Sequence, residues 1–330
     1  MLLEALPRFG RLVLLGDVLE LRHGPLREAL AAAEPVLRAV GAALGPEREV
    51  VIVPGNHDHR LARSWLERRV DEPLGLAAEI EPGAPEPLAT LAGWLAPARV
   101  RAAYPGLWLR EDVYATHGHY GDRHTTVPML ERLGAGLMAR VVREDAGGPR
   151  RAEDYEAVLA PIYAWIDAVA QADARVLGES SHGPSTRAWR TLTGARGVRG
   201  RALALVFPAV VAGLNCAGLG PLNSDLSGTE LRRAGLRGFG EVLGRLDVAA
   251  RYAIFGHTHR AGPLPRDDPG DWSAGGTQIL NTGSWVHEPH FLGDRPDTSP
   301  YRAGFAAVVG EAGAPELVNL LDGLSPGAQA

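Results

Sequence analysis

Val50-Val-Ile-Val-Pro-Gly-Asn-His-Asp58 is the stretch of sequence that indicates the fold most clearly. An apolar run that ends in turn residues is typical of a buried strand. The same pattern occurs at residues 12–15, 113–116 and 252–255, each of which runs into polar residues. Ligands of open α/β sheets bind beyond the carboxyl ends of the strands, so we expect these four ends to meet at one site.

The rest of the chain fits around these strands. Residues 25–44 are rich in Ala and Leu at helical spacing and predict a β-α-β crossover. Further strands are predicted at 278–281, 304–309 and 316–321, and eight regular β-α units, which a barrel needs, are not found. The sequence predicts an α/β core over 1–119 and 247–322, a helical insertion or cap over 120–246, and a tail over 323–330.

Composition excludes several classes of protein. The chain has 330 residues and a formal net charge of −5, with no basic stripe of the kind that nucleic-acid binding requires. The single cysteine, Cys216, excludes an internal disulfide framework and any site built from several cysteines. No secretory signal pattern begins the chain, so we expect a cytoplasmic protein, and the absence of Lys suggests a GC-rich bacterial genome.

The longest apolar run, residues 202–217, is too short to span a bilayer. It contains Pro208, Gly213 and Asn215. We interpret it as a buried helix, and peripheral contact with a membrane surface is the less favoured alternative.

Histidines are concentrated in three short clusters. Of the eleven in the chain, seven lie at 57 and 59, at 117, 119 and 124, and at 257 and 259, next to predicted strand ends. With Asp17 and Asn56, they offer the nitrogen and oxygen ligands that Mn²⁺, Fe or Zn²⁺ favour. The sequence therefore predicts a site for one or two divalent cations.

Four segments resemble motifs of one family in their order along the chain: Gly16-Asp-Val-Leu-Glu20, Gly55-Asn-His-Asp58, Thr116-His-Gly-His119 and Gly256-His-Thr-His259. The corresponding motifs of the calcineurin-like metallophosphoesterase superfamily are Gly-Asp-x-x-(Asp/Glu), Gly-Asn-His-(Asp/Glu), a later His, and Gly-His-x-His. This resemblance implies an α/β sandwich of two mixed β-sheets flanked by helices, here with a helical insertion.

The resemblance also implies roles for individual residues. Asp17 would bridge two metals, Asn56, His117 and His257 would complete one site, and His259 would belong to the other. His57 would act as the general acid that protonates the departing oxygen, and Glu20 would orient it. The set expected to contact substrate is His119, Arg123 and His124.

The activity implied is metal-dependent hydrolysis of a phosphomonoester or phosphodiester by a metal-bound hydroxide, with two divalent cations (Mn²⁺, Fe or Zn²⁺) and a small phosphorylated substrate. A lipid-linked substrate and a nucleotide both stay open. Asp58 is either an outer support of the metal site or a helix cap. His119 either replaces an aspartate or faces solvent, and Arg260 either contacts phosphate or is a surface charge.

One motif of the family has no counterpart in the chain. The opening Asp-x-His motif, which normally ends the first strand, is missing ahead of Asp17. We therefore expect the chain as given to bind one metal well and a second poorly, with weak or no turnover. The alternative function is a catalytically impaired interaction module on the same fold.

Overall fold

The computed structural model describes residues 1–22, 24–69, 72–83, 86–173, 198–287, 289–293 and 295–322. These residues form two compact units, each of which is described by itself. Unit 1 contains residues 1–19, 30–119 and 246–330, and unit 2 contains residues 20–29 and 120–245. The predicted tail, 323–330, lies outside the described residues.

The described residues of both units form strands, helices and short 3-10 turns. The strands are β1 (Arg11–Leu15), β2 (Glu49–Val53), β3 (Ala77–Ile80), β4 (Arg99–Arg110), β5 (Val113–Thr116), β6 (Tyr252–Phe255), β7 (Ser273–Ala274), β8 (Thr277–Asn281), β9 (Phe305–Val308) and β10 (Glu316–Asn319). The helices are α1 (Leu2–Ala5), α2 (Leu26–Leu44), α3 (Arg60–Arg68), α4 (Glu86–Trp94), α5 (Leu130–Val141), α6 (Ala152–Asp173), α7 (Val198–Cys216), α8 (Gly228–Arg245) and α9 (Pro289–Leu292). Short 3-10 turns add Leu6–Arg8, His119–Arg123, Pro269–Trp272 and Pro296–Thr298.

Unit 1 is built on one mixed sheet with the strand order β1-β2-β4-β5-β6-β8-β7, and β3 pairs with β4 outside this path. Strands β1, β2 and β4 run parallel, as do β5, β6 and β8, and the antiparallel pair β4 and β5 joins the two groups. A separate antiparallel pair consists of β9 and β10. The fold is therefore α/β, as the sequence predicts.

The large sheet carries an apolar cluster to which several strands contribute. Val51 and Val53 of β2 belong to the same buried cluster as Val113 of β5 and Ile254 of β6. Strand β4 lies between β2 and β5 in the strand order, and its Ala103 and Leu107 belong to the same cluster, which is therefore continuous across the sheet. Strand β2 pairs with residues 99–102 of β4 and β5 with residues 106–110, so the carboxyl ends of the parallel pairs β1–β2 and β5–β6 both lie near the middle of β4.

Unit 2 is helical. Helices α5 and α6 pack together so closely that a Cβ on Gly134 would lie 3.2 Å from Ile162 Cδ1. Tyr155, Val158 and Tyr163 of α6 are all buried. A buried ion pair joins Arg22 to Glu131 in the same unit.

The apolar run at 202–217 is helical as far as Cys216, but the prediction of a buried helix is wrong for most of the side chains described. Val211 is buried, whereas Val210 is half exposed and Cys216 is exposed. Much of the run consists of Ala and Gly, whose small side chains have little apolar surface to remove from water. Among the described helices, none combines the length and apolar character that crossing a bilayer requires.

Candidate metal centre

Two parallel strands place Asp17 and Asn56 side by side. Strands β1 and β2 pair with Leu15 opposite Val53, so the loops that follow them leave the sheet together. The approach requires glycine at position 55, where a Cβ would lie only 2.2 Å from Asp17 Oδ1. Asp17 itself has a φ of 53°, a left-handed conformation that non-glycine residues adopt rarely.

A second pair of parallel strands supplies two histidines. His117 follows β5 and His257 follows β6, and the backbone N–H of Gly256 donates to the carbonyl of His117 at 3.0 Å. The two imidazole rings meet edge to face with their centroids 5.2 Å apart. The contact fixes one histidine relative to the other.

The two pairs of loops meet at the ring of His117. Its Nε2 lies 3.1 Å from Asp17 Oδ2 and 3.2 Å from Asn56 Oδ1, and its Nδ1 lies 2.9 Å from the carbonyl oxygen of Leu15. The Leu15 carbonyl can only accept, so Nδ1 carries a proton and donates. Nε2 then faces two oxygen acceptors with at most one proton to share between them.

A cation at this point could bind His117 Nε2 and both oxygen atoms, whereas a single proton on Nε2 cannot be donated fully to both oxygens. Asp17, His117 and His257 each direct one potential ligand atom into a group whose members lie within 4.8 Å of one another, and Asn56 Oδ1 adds a fourth. Neighbouring ligands of an octahedral ion with bonds of about 2.1 Å are about 3 Å apart, close to the spacing of the three atoms around His117 Nε2. A histidine whose Nδ1–H donates to a backbone carbonyl presents Nε2 to a metal.

Charges within the site reinforce this arrangement. Burial alone would raise the pKa of Asp17, but the charges of His117 and His57 outweigh it and hold that pKa well below its usual range. Burial likewise opposes protonation of His117, yet the charge of Asp17 and the hydrogen bond to it raise the pKa of His117 to about 9. The Asp17 carboxylate therefore stays ionised and attracts a positive charge to this point.

The Asp58 carboxylate connects the loops that follow β1 and β2 through hydrogen bonds to their backbones. Its Oδ1 accepts from the backbone N–H of Gly55 at 2.6 Å and of Asp17 at 3.2 Å, and its Oδ2 accepts from Val18 at 2.7 Å and Leu19 at 3.3 Å. Burial and the negative charge of Asp17 raise the pKa of Asp58 to about 6. Of the two interpretations left open for Asp58, these contacts favour support of the loops that carry the candidate ligands.

His57 lies at the solvent side of the cluster. Its Nε2 is 4.0 Å from Asp17 Oδ2, its side chain is 21% exposed, and its backbone N–H donates to Asp17 Oδ1 at 2.9 Å. His259 is within electrostatic reach of Asp17, but burial dominates and lowers the pKa of His259 to about 4. The imidazole of His259 is therefore neutral at neutral pH and able to bind a metal.

His119 lies behind His117 and is 1% exposed. Its Nε2 is 3.0 Å from the hydroxyl of Tyr104, and the ring of His59 packs edge to face against Tyr104. Burial, together with the charge of His117, keeps the pKa of His119 well below its usual range. Tyr104 was not singled out from the sequence, because it lies within the long strand β4 and no motif marks it.

Glu20, Arg123 and His124 belong to unit 2. Glu20 is exposed and accepts from the backbone N–H of Arg22 at 2.8 Å. Arg123 pairs with Glu144, and His124 Nε2 lies 2.7 Å from the hydroxyl of Tyr155. The roles assigned to these three residues stay predictions.

Arg260 follows His259 and forms a two-pronged ion pair with Asp267, with N–O distances of 2.7 and 2.6 Å. The guanidinium also lies over the ring of Trp272, 5.3 Å from its centroid. Both side chains of the ion pair are largely buried. Arg260 therefore anchors the loop behind His259, a role that neither sequence interpretation anticipated.

Comparison of the chain with protein-family models and with curated proteins finds no match. Any functional conclusion therefore depends on the residues of the site and their geometry.

Proposed function

We propose that this chain is a metal-dependent phosphoesterase of the calcineurin-like metallophosphoesterase superfamily. The observation that carries the proposal is the convergence of Asp17 Oδ2 and Asn56 Oδ1 on His117 Nε2, with His257 beside them. Each of these four residues follows a different strand, and each lies in one of the ordered motifs that resemble that superfamily.

These four residues would hold a divalent cation, which would supply charge neutralisation for phosphoryl oxygens and a lowered pKa for a bound water. The chain's own part is to hold the ligands in place. Asp17 supplies the negative charge, and its position is fixed by two bonds, from the N–H of His57 to Oδ1 and from its own N–H to Asp58. His117 is fixed by its bond to the Leu15 carbonyl.

His57 is the residue to which we assign proton transfer to the departing oxygen. Its ring is partly open to solvent and lies next to Asp17, whereas the rings of His117 and His119 are buried. A proton held at Nε2 of His57 is therefore available to a phosphate ester that approaches from solvent. A general acid of this kind contributes about 10²- to 10⁴-fold to the rate.

The proposal also includes finer features that the resemblance implies. The curled sheet corresponds to a sandwich of two mixed sheets, one around β1, β2 and β4 and the other around β5, β6 and β8. A second cation would use Asp17 and His259. The substrate is a small phosphomonoester or phosphodiester.

The test is hydrolysis of bis-p-nitrophenyl phosphate and p-nitrophenyl phosphate with added Mn²⁺, measured for the wild type, His57→Ala and His287→Ala. His287 is exposed and lies in unit 1 outside the candidate site, which makes it a matched control. We expect the control to match the wild type and His57→Ala to lose about 10²- to 10⁴-fold in kcat. Equal hydrolysis by all three proteins would contradict the assignment of His57.

Metal binding without hydrolysis of either ester would favour the alternative, a catalytically impaired interaction module. Absence of both metal binding and hydrolysis would overturn the proposal as a whole.

A further inference from the structure

The segment that carries His257 and His259 has an unusual backbone. His257 has a φ of 60° and His259 a φ of 59°, and with Asp17 they account for three of the five non-glycine residues with positive φ in the described part of the chain. Such a conformation is strained in a non-glycine residue and persists only where surrounding contacts enforce it. The contacts that enforce it are therefore part of the site.

One residue contacts both ends of this segment. The backbone of Asn281, at the end of β8, exchanges two hydrogen bonds with Gly262, at 2.7 and 3.0 Å. Its side-chain Nδ2 donates to the carbonyl of Gly256 and to Thr258 Oγ1, each at 2.8 Å. The seven residues from 256 to 262 are thus held at their start, middle and end by Asn281.

The geometry of Asn281 requires an amide. Its Oδ1 accepts from the backbone N–H of Gly283 at 2.7 Å while its Nδ2 donates twice, so both halves of the group are used. A carboxylate would keep the acceptor and lose both donors, and would place an oxygen against the Gly256 carbonyl. Asn281 is 1% exposed, so water cannot replace the lost bonds freely.

We propose that Asn281 is a positioning residue that sets the imidazoles of His257 and His259 for a divalent cation. The inference rests on the cation site of the proposed function. Asn281 acts on the cation through these two histidines, in the way that outer hydrogen bonds orient metal ligands in other proteins. Loss of such an outer contact typically weakens metal binding by about 10- to 100-fold.

The experiment measures Co²⁺ affinity and the Co²⁺ d–d absorption spectrum for the wild type, Asn281→Asp and Thr258→Val. Co²⁺ reports its own coordination, so the spectrum responds to ligand position as well as to occupancy. Asn281→Asp is expected to weaken Co²⁺ binding by about 10- to 100-fold and to change the intensities of the Co²⁺ d–d absorption bands. Thr258→Val removes Thr258 Oγ1, one of the two groups that accept from Asn281 Nδ2. Thr258 is exposed, and this substitution is expected to lower Co²⁺ affinity and change the spectrum in the same direction but by less.

Asn319→Asp is the matched control. Asn319 also joins backbone groups, because its Nδ2 donates to Ala303 O and its Oδ1 accepts from Leu321 N, both at 2.9 Å, but its segment carries no candidate ligand. We expect its Co²⁺ affinity and spectrum to match the wild type.

Wild-type affinity and spectrum in both Asn281→Asp and Thr258→Val would overturn the inference and leave the proposed function standing. Should Asn281→Asp fail to fold, Thr258→Val alone decides, and a wild-type Co²⁺ spectrum in it overturns the inference. An equal loss of Co²⁺ affinity in Asn319→Asp would also overturn the inference, because Asn→Asp substitution would then weaken Co²⁺ binding wherever it is made in the chain. Failure of the wild type to bind Co²⁺ would contradict the cation site and hence the proposed function itself.

Discussion

His117 Nε2 lies 3.1 Å from Asp17 Oδ2, although the two residues follow strands that are not neighbours in the sheet. The contact exists because β2 pairs with the first half of β4 and β5 with the second half, so the carboxyl ends of β5 and of the parallel pair β1 and β2 both lie near the middle of β4. The carbonyl of Leu15, the last residue of β1, fixes the other nitrogen of the same ring. The candidate centre is therefore a property of the whole sheet, and it tolerates little displacement of either strand end.

Gly55→Ala should damage the centre through crowding. The new Cβ would lie 2.2 Å from Asp17 Oδ1 and 2.8 Å from the backbone nitrogen of Asp17, so one of the two loops must move. Overpacking of this kind costs about 1 to 3 kcal/mol. We expect a lower unfolding midpoint in urea and weaker Mn²⁺ binding by calorimetry.

Gly10→Ala is the control for this substitution, because a Cβ on Gly10 meets nothing within 4 Å. Both glycines lie in unit 1 and neither has a positive φ. If Gly55→Ala and Gly10→Ala bind Mn²⁺ equally strongly, the prediction is wrong. The loops after β1 and β2 would then have room to separate.

Arg260→Met should destabilise unit 1. The substitution keeps much of the side-chain length but removes the cation that faces Asp267, whose side chain is 3% exposed. Removing one partner of a buried ion pair costs about 3 to 5 kcal/mol. The measurement is the free energy of unfolding from urea titration, compared with Arg302→Met.

Arg302 pairs with Asp322, whose side chain is 63% exposed, so Arg302→Met should cost no more than about 1 kcal/mol through this pair. If Arg260 contacts phosphate instead of anchoring its loop, Arg260→Met will keep wild-type stability and raise KM. That result would restore the phosphate-contact interpretation.

The stability of unit 2 should depend on pH through His124. Burial, together with the nearby cations Arg245 and Arg123, lowers the pKa of His124 to about 3, against about 6.5 in an unfolded chain. The unfolded state therefore binds more protons between these values, and the free energy of unfolding rises with pH across that window. The contribution of His124 is complete above about pH 6.5 and is lost progressively as the pH falls towards 3.

His124→Gln removes this titration, while its amide oxygen can still accept a hydrogen bond from the Tyr155 hydroxyl. The unfolding midpoint should fall less steeply from pH 6.5 to pH 4 in His124→Gln than in the wild type. The exposed His287→Gln should retain the wild-type slope. Identical slopes in all three proteins would indicate that the pKa of His124 in the folded state is close to its value in the unfolded chain.

The sequence allowed the strands that carry the site to be predicted, because each is a short apolar run followed by turn residues. Strands β1, β2, β5, β6 and β8 lie within one residue of the predicted ranges. The long strand β4 was not predicted: it contains Pro105, and Arg101 interrupts its apolar character near the start. Its role as the strand that joins the two parallel groups depends on pairing between distant segments, which local patterns do not encode.

The candidate ligands were predictable from residue type and spacing, and support of the site by Asp58 was one of the two interpretations that the sequence left open, but the individual contacts that hold the ligands were not predictable. Asp58 and Asn281 act through hydrogen bonds to backbone groups, and any segment of the chain offers such groups. Tyr104 is likewise marked only by its neighbours in space. The ion pair between Arg260 and Asp267 requires the turn between them, which the sequence alone did not define.

Asp17→Asn should abolish most of the attraction for a cation while keeping the size of the side chain. A neutral amide removes the negative charge at Oδ2, and we expect Mn²⁺ affinity to fall by about 100-fold or more, since loss of an outer contact alone costs about 10- to 100-fold. Asp112→Asn is the control, because Asp112 lies in unit 1 and pairs with Arg110 outside the centre. Equal Mn²⁺ affinity in the two variants would exclude Asp17 as a ligand.

Anomalous X-ray diffraction from crystals of the full chain loaded with Mn²⁺ or Zn²⁺ tests the central claim most directly. We predict a peak about 2.0 to 2.3 Å from Asp17 Oδ2, Asn56 Oδ1 and His117 Nε2, with an imidazole nitrogen of His257 completing the set. A peak at some other cluster, or no peak beside His117 at saturating metal, would contradict the account.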